Sequence, residues 1–186
     1  MKKQRKRIYT ALLCTCFLFS TASVPVSAAE TEQEEEMTTL SSRSGEAEVS
    51  TVEDLTSALG DSTKDTVKLT ANIIIDTTLT VNRAVTLDLN GFVLRIPEKD
   101  SVIKVEQGGE LTIADSDKTT EHKFAQNPDG LWVLVSDDST TSKTVKGGII
   151  TGGKAQKGGG VYVAPGGKLN MTGGSIVGCQ ISCDLT

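Results

Sequence analysis

The sequence predicts an all-β fold in which short strands stack in successive layers, and internal repeats are the main reason. The segment IKVEQGGELTI (residues 103–113) returns as VYVAPGGKLNM (residues 161–171), and GGIITGGK (147–154) returns as GGSIVGCQ (173–180). The units alternate apolar and polar residues and turn on glycine pairs. Such alternation is typical of a strand with one buried face. A unit this short can bury that face only against its neighbours, so the units are expected to stack.

The first 29 residues have the layout of a secretory signal. Five basic residues precede an apolar run over residues 8–19, and small residues follow at 27–29. The run falls short of the about 20 residues that span a bilayer, which disfavours the alternative of a membrane anchor. We therefore expect residues 1–29 to be removed, which leaves a secreted chain without a membrane span.

The charge balance argues against nucleic acid as a partner. Five of the 19 basic residues and none of the 24 acidic ones lie in residues 1–29, so the rest of the chain carries a formal charge of about −10. Binding to phosphate backbones needs clustered lysine and arginine. Cys179 and Cys183 are the two cysteines beyond the signal, and they lack the further ligands of a zinc site. Four residues along a strand cover about 13 Å, which disfavours a disulfide between them.

The order of the chain after the signal predicts a linker, a helix and then strands. Residues 30–49 are rich in Glu, Ser and Thr and are expected to be a disordered linker. Residues 50–53 have capping-box spacing, and Val52, Leu55 and Leu59 form one apolar stripe before Gly60. We expect a short N-terminal helix that caps the first layer of a β domain over residues 50–186.

Short strand candidates then recur about every six to ten residues between residues 67 and 171, separated by Asn, Asp, Gly or Pro. In one of them, Val85, Leu87 and Leu89 are expected to face inward. A sandwich of hairpins is the alternative arrangement. Residues 115–146 interrupt the repeats, and the turn sequence Asn-Pro-Asp-Gly at 127–130 predicts an inserted β-hairpin there.

Several motifs together resemble a known family. They are VTLDLNG (85–91), GELTIAD (109–115) followed by Leu131 and Trp132, GGIITGG (147–153), GGGVYV (158–163) and MTGGSI (171–176). These are similar to the repeats of adhesin-like, secreted cell-surface proteins of gut Firmicutes. The resemblance covers residues 50–180 and implies a pectate-lyase-like fold, the right-handed parallel β-helix, a solenoid. Such proteins are usually longer, so we expect this chain to be the N-terminal portion of a larger one, with the β domain incomplete at its C-terminus.

The resemblance says little about activity, because this fold hosts lyases, hydrolases and inert stalks. Lyase chemistry needs a carboxylate cluster and a cationic base. Asp88, Arg83 and Arg95 lie in suitable coils, but their carboxylates lack a paired partner. Asp115 and Asp117 have alternate spacing and are interpreted as part of a solvated loop. We therefore expect no catalytic residue, no metal site and no cofactor.

Trp132 is the one candidate for ligand contact, because an aromatic face can stack on a sugar ring. The alternative is that Trp132 packs the hairpin onto the body of the protein. His122 is interpreted as a surface residue of the same hairpin. The predicted function is a non-enzymatic, adhesin-like protein at the cell surface that binds polysaccharide or a host surface ligand. A remnant of a polysaccharide lyase or hydrolase and a purely structural stalk are the alternatives.

Overall fold

The computed structural model describes residues 45–136 and 141–182, and strands dominate it. The predicted signal at residues 1–29, and residues 30–44 of the predicted linker, lie outside the described residues. The one helix of the described part, α1, covers Val52–Gly60. The strands, in chain order, are β1 Gly45–Val49, β2 Lys64–Leu69, β3 Ile73–Ile74, β4 Leu79–Val81, β5 Ala84–Asp88, β6 Val93–Arg95, β7 Ile103–Val105, β8 Glu110–Ala114, β9 Glu121–Gln126, β10 Trp132–Val135, β11 Lys143–Lys146, β12 Ile149–Thr151, β13 Lys154–Ala155, β14 Val161–Val163, β15 Lys168–Met171, β16 Ser175–Val177 and β17 Gln180–Ile181. The predicted all-β class is confirmed.

Three sheets contain most of the strands, and the chain visits them in a repeating order. Sheet A has the order β1-β2-β5-β8-β15, sheet B the order β16-β12-β6-β3, and sheet C the order β14-β7-β4. From β2 to β8 the chain passes through sheets A, B and C in turn, and it does so again from β12 to β15 apart from the short strand β13. Each pairing within these sheets is parallel. A sandwich of hairpins would need antiparallel neighbours, so this alternative is wrong.

The sequence repeats are neighbours in these sheets. Ile103 lies opposite Val161 in sheet C, and Ile113 lies opposite Met171 in sheet A. In the second repeat, Ile150 lies opposite Ile176. Corresponding positions of each repeat therefore stack on one another, because equal spacing of apolar residues puts equal side chains at equal depth.

One buried cluster draws on all three sheets. Val67, Leu87 and Ile113 are adjacent in the register of sheet A, and each is 0% exposed. Leu94 of sheet B and Ile103 of sheet C belong to the same cluster. Val85, Leu87 and Leu89 are buried as predicted. Each such side chain contributes about 1.5–3 kcal/mol through removal from water.

The ordered part begins earlier than the sequence predicts. Residues 45–49 were assigned to the linker, but they form β1, which pairs with β2 and buries Val49. Glu46 and Glu48 alternate with Ala47 and Val49, so the strand has one charged face and one apolar face. The high glutamate content concealed that alternation.

Helix α1 forms where it was predicted, but its cap is one residue later. Thr51 is the N-cap, and its hydroxyl oxygen accepts a hydrogen bond from the Asp54 amide at 3.1 Å. The helix buries Leu55 and Leu59 and contacts β1, β2 and β4. At its other end, the Arg83 guanidinium donates to the Ala58 and Leu59 carbonyls at 2.9 and 2.8 Å, which satisfies carbonyls that the helix leaves open.

The segment predicted as an inserted hairpin folds as three antiparallel strands in the order β10-β9-β11, called the inserted sheet below. The turn between β9 and β10 is held by Asn127, whose side-chain oxygen accepts from the amides of Asp129 and Leu131 at 3.0 and 2.9 Å. The third strand, β11, was not predicted because its sequence, Lys-Thr-Val-Lys, has a single apolar residue.

Candidate functional site

The widest opening near the inserted sheet is a groove beside Trp132. Residues 130–132 form one wall and residues 176–180 form the other, and the space between them is about 340 Å³. We call it the Trp132 groove. The two walls come from the inserted sheet and from the end of sheet B, so distant parts of the chain build the groove together.

Trp132 is half-buried, and both interpretations of it hold in part. One side of its ring system packs against a small cluster around Val93, Phe124 and Ile149. The Lys143 ammonium group lies 5.0 Å from the centre of the ring, within the range of a cation–π interaction. Trp132 therefore anchors the inserted sheet and still lines the groove.

The position of Trp132 depends on a glycine in the opposite wall. Gly178 has φ +66°, and a side chain on it would collide with the Trp132 carbonyl oxygen. The backbone of β10 thus approaches the chain after β16 more closely than any residue with a Cβ atom would allow. Gly178 sets the width of the groove at this point.

Cys179 lies in the same wall and is a free, half-buried thiol. Burial raises its pKa, so the thiol is less available as a nucleophile than an exposed cysteine. Cys183, its neighbour in the sequence, lies outside the described residues.

A second, much smaller cleft lies on the other side of β10. Arg95, Glu98, Val133 and Leu134 help to line it, and its volume is about 20 Å³, room for a single water molecule. Arg95 is thus placed beside the inserted sheet, whereas Arg83 is committed to the helix end. The structure does not bring these two arginines to one site.

Asp115 is buried rather than solvated, so the prediction of a solvated loop is wrong for this residue. Its side chain is 6% exposed, and its two oxygens accept hydrogen bonds from the Gly91 and Gly148 amides at 2.8 and 2.9 Å. Gly147 and Gly173 also lie so close that an added Cβ would collide with Asp115. One carboxylate therefore holds the turn after β5 to the start of β12. Sequence spacing could not reveal this role, because the partners lie far away along the chain.

Asp117 and Asp88 are also engaged by backbone and hydroxyl donors. The Asp117 carboxylate accepts from the Thr119 and Thr120 hydroxyls and amides, and these hydrogen bonds, that of the Thr119 hydroxyl first, lower the pKa of Asp117. Asp88 accepts from the Asn90 and Ser116 amides at 3.0 and 2.8 Å. Within residues 45–136 and 141–182, no three acidic, histidine or cysteine side chains are grouped as metal ligands.

His122 is less exposed than predicted. Its Nε2 lies 2.9 Å from the Gly91 carbonyl oxygen, and the side chain is partly buried. A donor is needed opposite a carbonyl, so Nε2 carries the proton in this contact. His122 thereby ties the first strand of the inserted sheet to the same turn that Asp115 holds.

Comparison with known proteins does not identify a relative. No family model, no curated protein and no solved structure matches the chain. Among the described residues, none of the helical structure has the length and apolar character needed to cross a bilayer.

Proposed function

We propose that this chain is a secreted, adhesin-like protein of the cell surface that binds carbohydrate through the Trp132 groove, on a right-handed parallel β-helix. The cyclic order of sheets A, B and C and their parallel, in-register pairing support a solenoid of stacked coils. Such a solenoid is a rigid support for residues carried on its insertions. The signal-like residues 1–29 support export.

The single observation that carries the binding proposal is the half-exposed Trp132 at an open groove. The flat ring offers an apolar face for the C–H groups of a sugar, and its position is held by packing on one side. Gln180, at the far end of the groove, adds an amide that donates and accepts hydrogen bonds. The Lys143 ammonium group above the ring favours sugars that carry a carboxylate.

Two other functions remain as outcomes of the test. A structural stalk would use the same stacked sheets and would bind no ligand. A lyase or hydrolase remnant would need free carboxylates, and the contacts of Asp88, Asp115 and Asp117 with backbone amides give these residues structural roles instead.

The test is a glycan-array screen of the purified chain, followed by titration of any ligand found. We expect Trp132→Ala to weaken binding at least about tenfold, equivalent to about 1.4 kcal/mol. Tyr162→Ala is the matched control, because Tyr162 also has a lysine near its ring, with Lys157 Nζ at 6.0 Å, but lies on sheet C away from the groove.

The outcomes separate the three functions. Binding that is lost in Trp132→Ala and kept in Tyr162→Ala supports the proposal. An array without any bound glycan supports the stalk. Release of unsaturated or reducing sugars from polygalacturonate with added calcium would support the enzyme and overturn the proposal.

A further inference from the structure

The last strand of sheet A exposes side chains at positions that are buried in its other strands. In β8, Leu111 and Ile113 are 0% exposed, whereas their register partners in β15, Leu169 and Met171, are 36% and 43% exposed. All four side chains lie on the same face of the sheet. Among the described residues no further strand pairs with β15, so its free edge and two apolar side chains face outward.

This edge lacks the protection that edge strands usually have. Exposed edges are normally shielded by charge, by irregular backbone or by a covering element. In β14, β15 and β16, the three final strands of sheets C, A and B, the one charged residue is Lys168, which pairs with Glu110 at 3.3 Å. The opposite edge strand, β1, carries Glu46 and Glu48 and is contacted by α1. One end of sheet A is shielded and the other is open.

We propose that a second copy of this chain docks on this open edge, with β15 of each copy paired antiparallel about a two-fold axis. In this register Asn170 lies opposite the partner copy's Asn170, and Leu169 lies opposite the partner copy's Met171. The inference rests on the pairing of sheet A and is independent of carbohydrate binding.

The backbone of β15 selects this register. The Lys168 and Thr172 amides donate to Gly109 and Ile113 of the β8 side, at 2.9 and 2.8 Å. Successive peptide groups of a strand point to opposite edges, so the amides of Leu169 and Met171 point away from β8. These two residues would exchange hydrogen bonds with the partner copy, and the two Asn170 residues would form the non-hydrogen-bonded pair between them.

The side chains select the same register. Leu169 and Met171 of both copies meet on the core-facing side, where they would cover one another. On the outer side two Asn170 amides face each other and can hydrogen-bond. Lys168 lies opposite the partner copy's Thr172, so the pairing places no like charges together. Apolar pattern, backbone direction and charge all fit a second copy, and a symmetric pair closes after two chains.

A different contact, the open edge of one copy on β1 of the next, fits less well. Helix α1 follows β1 directly and packs against β1, β2 and β4, which covers that end. Such head-to-tail pairing would also form open filaments rather than a closed dimer.

The first test is the mass of the full chain in solution, measured by light scattering over a range of concentrations from micromolar upward. We expect twice the mass of the chain for the native protein and a monomer for Leu169→Lys, because the new charges would meet across the axis. Ile74→Lys is the control, since Ile74 is 62% exposed on β3, at the opposite edge of sheet B, and should stay dimeric. Circular dichroism verifies that both variants fold.

The second test examines the register and does not depend on disrupting the dimer. Asn170→Cys should form a disulfide between two copies on mild oxidation, because non-hydrogen-bonded pairs have Cα atoms about 4.5 Å apart, within disulfide range. Lys168→Cys should not, since it lies opposite Thr172. Peptide mass spectrometry distinguishes the introduced thiols from the native cysteines.

A native chain that stays monomeric overturns the proposal, and so does a mass that keeps rising with concentration, which would indicate head-to-tail filaments. A dimer that survives Leu169→Lys, or one that Ile74→Lys also breaks, overturns it too. Failure of Asn170→Cys to cross-link in a dimeric sample would overturn the register.

Discussion

The stacked sheets A to C and the inserted sheet differ in pairing, burial and repetition. In the stacked sheets the strands are parallel and the central side chains, such as Leu87 and Ile113, are fully buried. In the inserted sheet the strands are antiparallel, and all four residues of β10 are only half-buried. Phe124 is the one fully buried side chain of the insertion. The comparison indicates that the stacked sheets provide stability, whereas the inserted sheet places side chains at the surface.

The largest expected effect tests this division directly. Leu87→Ala should lower the free energy of unfolding by about 2–5 kcal/mol, because it opens a cavity in the middle of sheet A. Leu134→Ala in β10 removes a half-buried side chain and should cost about 1 kcal/mol. Urea unfolding followed by circular dichroism measures both. Equal costs would contradict the comparison.

The next prediction concerns the junction between the two regions. Asp115→Asn replaces one carboxylate oxygen by an NH₂ group, which then faces a backbone amide of Gly91 or Gly148. The loss of one charged acceptor in a buried place should cost about 1–3 kcal/mol in unfolding free energy. Asp129→Asn, in the exposed turn of the inserted sheet, is the matched control and should change stability little. A neutral result for Asp115→Asn would deny this residue its connecting role.

A smaller effect is expected where the inserted sheet touches sheet B. Gly178→Ala combines a positive φ with a collision against the Trp132 carbonyl, so it should cost more than the about 1–2 kcal/mol of the backbone conformation alone and displace β10. Gly108→Ala is the control, since Gly108 has φ +81° and open space around it. The single tryptophan reports the displacement by its fluorescence. An emission spectrum that is unchanged in Gly178→Ala would show that the contact is not tight.

The smallest expected effect is a dependence on pH at the start of the insertion. Hydrogen bonds from Thr119 and Thr120 lower the pKa of Asp117 below its ordinary 3.8. A lowered pKa in the folded state means that the stabilisation is complete above the unfolded-state pKa and is lost as the pH falls through the acid range. Asp117→Asn should therefore make stability less sensitive to pH below about 4. Unfolding at a series of pH values, with Asp129→Asn as the control, measures this slope, and identical slopes would rule the contribution out.

Several features of the fold were readable from the sequence because they depend on local pattern. The alternation of Val85, Leu87 and Leu89 predicted the inward face, and the stripe of Leu55 and Leu59 predicted helix α1. Strand β1 was missed because its glutamates lowered the apolar content, although the alternation was present. Strand β11 was missed because one valine among polar residues has no detectable period.

The candidate site was predicted only in one residue. Trp132 was singled out because a lone tryptophan in a turn-rich segment has few uses, but its groove could not be predicted, since Gly178 and Gln180 reach it from another sheet. His122 and Asp115 were misassigned for the same reason. Both bond to the turn at Gly91, which is remote from each of them in sequence.

The sequence by itself determined which segments stack, because repeats with equal spacing bring equal side chains into register, as Ile113 and Met171 show. Only the tertiary structure decided which of these side chains are buried. Ile113 lies between two strands and Met171 lies at an edge, although their local sequences are alike. The physical reason is that burial depends on neighbours on both sides, and a residue's own segment specifies neither of them.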